Sequence, residues 1–96
     1  MAETKYPHKI LIIEDEEPML QALTDNLKAA GFEHILQARD GEEGLASALT
    51  DKPDLILLGY DQQSIAEELT KINVPFTILL PHKPELYKSS INNLTT

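Results

Sequence analysis

Ninety-six residues leave room for one small domain with a single hydrophobic core. A hydrophobic content of 42% is that of a globular chain and argues against intrinsic disorder. Sixteen acidic residues against eight basic ones give a formal charge of −8. That balance disfavours nucleic acid and anionic membranes, which need a basic face, and suits divalent cations or basic protein surfaces.

Short apolar runs alternate with helical patterns along the chain. "KILII" (Lys9 to Ile13) is rich in β-branched residues without polar alternation, which predicts a strand covered on both faces. Met19, Leu23, Leu27 and Ala30 then recur at helical spacing, with Pro18 suited to the first turn and Gly31 to a left-handed stop. "HILQA" (His34 to Ala38) reads as a second strand. Asp40 and Glu43 form a capping-box pair at the start of a helix carrying Leu45, Ala48 and Leu49, and Pro53 marks its end. "DLILL" (Asp54 to Leu58) is the third strand, again without alternation, and Ile65, Leu69 and Ile72 define a third helix. "VPFTILLP" (Val74 to Pro81) contains a fourth strand. Leu86, Tyr87, Ile91 and Leu94 mark a last helix, made weak and prone to fray by "SSINNLTT". The alternation predicts an α/β fold: a three-layer α/β/α sandwich on a parallel sheet of about four strands, joined by right-handed crossovers.

In such sheets ligands bind beyond the carboxyl ends of the strands. Glu14, Asp15, Glu16 and Glu17 follow the first strand, and alternation keeps all four from facing one site. Glu14 and Asp15 are the two expected to reach the crevice. Their mutual repulsion would be relieved by a hard divalent cation, with Mg²⁺ the natural candidate. The competing reading, of equal weight on these residues alone, is that the acids favour the positive end of the following helix.

Taken together, "HKILIIEDEEPML", "AAGF", "ARDGEEGLA" and "KPDLILL" in this order and spacing closely resemble the receiver domain of two-component response regulators. The resemblance runs from Lys9 through Leu58, about half the chain, and implies a flavodoxin-like sheet, a phosphoryl-accepting aspartate and a Mg²⁺ site. By position, Glu14 and Asp15 match the metal-binding acid pair. Gly59 falls where the acceptor belongs, and Asp61 where a main-chain carbonyl completes the metal's protein ligands. Glycine has no oxygen nucleophile to offer phosphorus. Asp61 faces the same way as residue 59 on strand alternation, but roughly 6 to 7 Å further along at strand rise. An N-cap for the following helix is therefore its favoured role.

After Gly59 the resemblance thins. "YDQQS" replaces the customary loop, and the chain has room for four strand–helix units where a receiver has five. Leu80 stands where a phosphoryl-contacting hydroxyl is expected, with Thr77 too early. Aligning "TILLPHKPEL" instead with the family's fifth strand makes Lys83-Pro84 its Lys-Pro motif, with Lys83 contacting phosphoryl oxygen. A solvated lysine near a helix start is the favoured reading, and His82 in the same loop is weak as a metal ligand.

One receiver-like domain over residues 1–96 is thus expected, with 1–58 receiver-derived and 59–96 divergent. The divergent half reads either as a truncated, degenerate receiver or as part of a chimera with another α/β protein, natural or engineered, without evolved activity. Three functions follow: a signalling scaffold lacking the acceptor and acting by protein contact, such a hybrid, or, well behind, a Mg²⁺-dependent phosphoryl acceptor using Asp61. No catalysis is indicated, since neither a phosphate-binding glycine loop nor a Ser/His/Asp set is present. With no cysteine, no apolar signal core in "MAETKYPHK" and no run near about 20 apolar residues, a cytoplasmic protein is expected. Removal of one unit would expose a sheet edge, so a protein partner or self-association through that edge is expected.

Overall fold

A computed structural model describes residues 5–96, with only the backbone of Pro84; residues 1–4 of the expected 1–96 domain lie outside it. Four strands, β1 (Tyr6–Ile13), β2 (Phe32–Ala38), β3 (Leu55–Gly59) and β4 (Phe76–Leu79), form one parallel sheet in the order β2-β1-β3-β4. Four helices alternate with them: α1 (Glu17–Ala29), α2 (Gly41–Asp51), α3 (Ala66–Lys71) and α4 (Tyr87–Thr95). The three-layer reading holds.

The two central strands are apolar without alternation because both of their faces are covered. On one face Ile10, Ile12, Leu55 and Leu57 pack with Leu20, Leu23 and Leu27 of α1 and with Tyr87 and Ile91 of α4. On the other, Leu11, Ile13, Ile56 and Leu58 pack with Ala48 of α2 and Leu69 of α3. The layering follows from handedness. A step from β1 to β2 runs one way across the sheet, and the steps β2 to β3 and β3 to β4 run the other. Right-handed crossovers therefore place α1 on one face and α2 and α3 on the opposite one.

Local signals stop and start the elements. Pro18 lies in the first turn of α1, and Gly31 follows that helix at φ 109°, the left-handed conformation that ends it. Asp40 caps α2 by accepting from the Glu43 N–H at 2.8 Å. Lys52 at φ 49° closes α2 ahead of Pro53.

Some boundaries differ from expectation. β1 begins at Tyr6, whose N–H bonds the Gly31 carbonyl at 2.9 Å and whose ring stacks on Phe32 with centroids 4.9 Å apart. Leu49 of α2 is 55% exposed. The buried face of α2 is made by Gly41, Gly44 and Ala48, and the bare Cα of Gly44 lets the helix close on the Ile13 side chain. The last helix runs to Thr95, anchored by buried Tyr87 and Ile91.

Candidate functional site

A crevice of about 100 Å³ opens at the carboxyl ends of β1, β3 and β4, where fold geometry places ligands. Met19, Leu23, Leu79, Leu80 and Pro81 make its apolar wall, and Tyr60 borders it. Its carboxylates are Glu14, Glu16 and Asp61.

Glu14 is the innermost of these, only 9% exposed at the end of β1. Its Oε1 accepts from the backbone N–H of Asp15 at 3.0 Å and of Glu16 at 3.3 Å. Burial pushes its carboxyl above the ordinary glutamate value, and the neighbouring Asp15 carboxyl adds to the rise. The two N–H bonds pull the other way without cancelling it.

Gly59 ends β3 beside this group. A Cβ at position 59 would stand 3.0 Å from the Ile13 carbonyl oxygen, 3.1 Å from Glu14 Oε2 and 3.2 Å from Glu14 Cδ. The Glu14 carboxylate thus packs against the flank that a side chain at 59 would use. A side chain there would require its neighbours to give by a few tenths of an ångström.

The predicted site residues are only partly brought together. Glu14 and Asp61 line the same crevice, while Asp15 is exposed beside Glu14 and is not among the crevice residues. Glu16 takes that place, two positions from Glu14. Asp61 is not the cap of the following helix. The strand stops at Gly59, and Asp61 sits exposed in the first turn of a 3₁₀ segment (Tyr60–Ile65), with Ile65 at the N-cap of α3. The alternation that would aim Asp61 parallel to residue 59 does not apply once the strand has ended. Lys83 and His82 are exposed and do not line the crevice; the Lys83 N–H turns back to the Leu80 carbonyl at 3.1 Å. The apolar wall was missed from sequence, although Leu80-Pro81 directly after the fourth strand marks that position.

Receiver domains in general bind Mg²⁺. No direct site for the ion is formed among the described residues. Among the described residues no group of three or more His, Asp or Glu side chains is placed to hold a metal, and Glu14 spends Oε1 on backbone donors. Thr77 also faces away from chemistry, its hydroxyl hydrogen-bonded to that of Ser90 on α4.

Comparison with known proteins places this geometry. The chain is 38% identical over 77 residues, 75% of its length, to the alkaline phosphatase synthesis transcriptional regulatory protein PhoP of Bacillus subtilis. It is 35% identical over 57 residues, 59% of its length, to the transcriptional regulatory protein PdtaR of Mycobacterium tuberculosis. Over much of its length this chain is a homologue of response-regulator receiver domains.

The receiver homologue spans 32% of PhoP and 28% of PdtaR, about a third of those proteins. No family model matches it. A solved fusion of the yeast Spc42 trimeric coiled coil to a second protein superposes with a TM-score of 0.77 over 97% of this chain and 64% of that one; at 23% identity this speaks to the fold alone. No helix among the described residues is long and apolar enough to cross a membrane.

Proposed function

We propose that this domain is a receiver-like signalling scaffold, cytoplasmic and without catalytic turnover, that does not accept a phosphoryl group and acts by protein contact. Receiver homology supports a role in two-component signalling. The observation that carries the finer reading is the Gly59–Glu14 contact. Position 59 offers no oxygen nucleophile, and the carboxylate of Glu14 packs tightly against the place a Cβ there would take. Phosphoryl transfer to a carboxylate also draws on a metal to offset charge on the transferred group, and among the described residues no three acidic or histidine side chains are grouped to hold one.

The PhoP match bears on the idea of a recombined chain. It covers 75% of the residues, more than residues 1–58 can supply, so similarity continues beyond Gly59. That favours one degenerate receiver over two joined fragments.

A second reading, phosphorylation of Asp61, has one observation in its favour: Asp61 lines the same crevice as Glu14. Intact mass after incubation with a small phosphoryl donor and Mg²⁺ separates the two. The expected result is no mass gain, in the parent chain and in Asp61→Asn alike. A single phosphoryl adduct on the parent that disappears in Asp61→Asn would establish the second reading and sink the first.

A further inference from the structure

The outer edge of β4 carries unused hydrogen-bonding groups in a specific register. The Ile56 N–H donates to the Pro75 carbonyl at 2.9 Å, and Ile56 pairs with Phe76 in the ladder. In a parallel ladder this register turns the main-chain groups of Pro75, Thr77 and Leu79 toward β3. Those of Phe76 and Ile78 then point away from the sheet. Leu80, the next outward residue, has its carbonyl taken by the Lys83 N–H. Two N–H and two C=O groups, on Phe76 and Ile78, are therefore left in line, without a partner among the described residues.

Among the described residues neither charge nor an outward proline protects this edge, whose strand is four residues long. Pro75 falls in the register facing β3 and Pro81 lies beyond the ladder, so neither removes a donor from Phe76 or Ile78. No charged residue occurs from Ile72 through Pro81, "INVPFTILLP", in a chain that is 25% charged. Phe76 and Ile78 are half-buried, so each leaves apolar surface beside the edge.

Topology leaves that edge open. The next strand outward would be reached from β4 by a crossover on the face of α2 and α3. α4 instead packs with α1 on the opposite face, through Tyr87 and Ile91. A fifth strand following α4 would need a left-handed crossover to reach β4.

We propose that a second copy of this chain occupies the edge, with the two β4 strands antiparallel about a two-fold axis. In that arrangement Phe76 of one copy exchanges both hydrogen bonds with the partner's Ile78, and Ile78 with the partner's Phe76. All four free groups are satisfied. Thr77 then lies opposite the partner's Thr77 as a non-hydrogen-bonded pair on the axis, and the sheet becomes continuous through both copies. Two-fold closure ends the assembly at a dimer instead of a filament. The strong negative charge of each copy is carried outside the joining strands. The pairing needs only the sheet edge and holds whether or not Asp61 accepts a phosphoryl group.

Sedimentation velocity across a concentration series, beside two variants, tests it. The parent chain is expected to double its sedimenting mass as concentration rises. Ile78→Pro removes an outward N–H without touching the β3 ladder and is expected to remain monomeric with an unchanged far-UV spectrum. Opposite residues in a non-hydrogen-bonded antiparallel pair have Cα atoms about 4.5 Å apart, within the roughly 4.4–6.8 Å that a disulfide spans. Thr77→Cys in this cysteine-free chain is therefore expected to crosslink under mild oxidation, and Thr50→Cys on the exposed side of α2 is not. A strict monomer at every concentration overturns the proposal, as does a dimer in which Thr77→Cys crosslinks no better than Thr50→Cys. If Ile78→Pro fails to fold, the mass series and the cysteine pair still decide.

Discussion

Glu14 is the residue on which the character of the crevice turns. It keeps a carboxyl buried at a strand end, held by two backbone N–H groups and pressed against Gly59. Because burial raises its pKa, the folded chain holds that proton more tightly than the unfolded chain does. Stability contributed by this group is therefore greatest in acid. It falls as pH rises through the ordinary glutamate range to the raised folded value, then stays constant toward neutrality. Glu14→Gln keeps an oxygen for the two N–H groups and removes the charge. Urea denaturation is expected to show the variant more stable than the parent near neutrality, with the difference shrinking below about pH 4. A variant less stable than its parent at neutral pH would mean that the ionised form is the one the fold was built around.

Among the elements, α4 depends most on tertiary contacts. Its sequence, "YKSSINNLT", is rich in residues that compete for the backbone, and its N-cap, Leu86, supplies no side-chain bond. Its helicity rests on Tyr87 and Ile91 against the α1 face. Tyr87→Ala is expected to cost about 3–5 kcal/mol, by analogy with other large aromatic truncations. Hydrogen exchange should show α4 amides losing protection first while β1 and β3 stay slow. Simultaneous loss across all elements would show that α4 is not a separable part of the fold.

The same elements show what can be read from sequence. β1 and β3 were legible because both faces are buried and the apolar run is unbroken, and α2 was legible at its start because Asp40 makes a local bond. The packed face of α2 was not legible, because periodicity counts side chains whereas α2 buries two glycines and turns Leu49 to solvent. Asp61, expected to cap the following helix, does not, because a 3₁₀ segment intervenes after Gly59 and puts Ile65 at that N-cap. The acids at the end of β1 were visible as a group, but which of them face the crevice depends on Glu14 folding back onto the N–H groups of Asp15 and Glu16. That is a tertiary matter, decided by the space Gly59 leaves.

At the scale of the whole molecule, a net charge of −8 attracts divalent cations as an ion atmosphere, and that attraction must be told apart from a bound metal. A specific site stabilises the fold by RT ln(1 + [L]/Kd), about 2.7 kcal/mol when the ion is at about 100 times Kd. A diffuse atmosphere stabilises only by screening, and sodium at matched ionic strength gives nearly the same effect. Glu14, Asp15 and Asp61 do not gather into a ligand group here, since Asp15 stands outside the crevice and Glu14 is held by backbone donors. Thermal melts in MgCl₂ and in NaCl at equal ionic strength are therefore expected to shift together, in the parent and in Asp15→Asn. A Mg²⁺-specific rise in Tm that Asp15→Asn abolishes would show that the acid pair closes on the ion after all. Glu14 would then have to leave Gly59 to do so, freeing the space beside Gly59 that its carboxylate now takes.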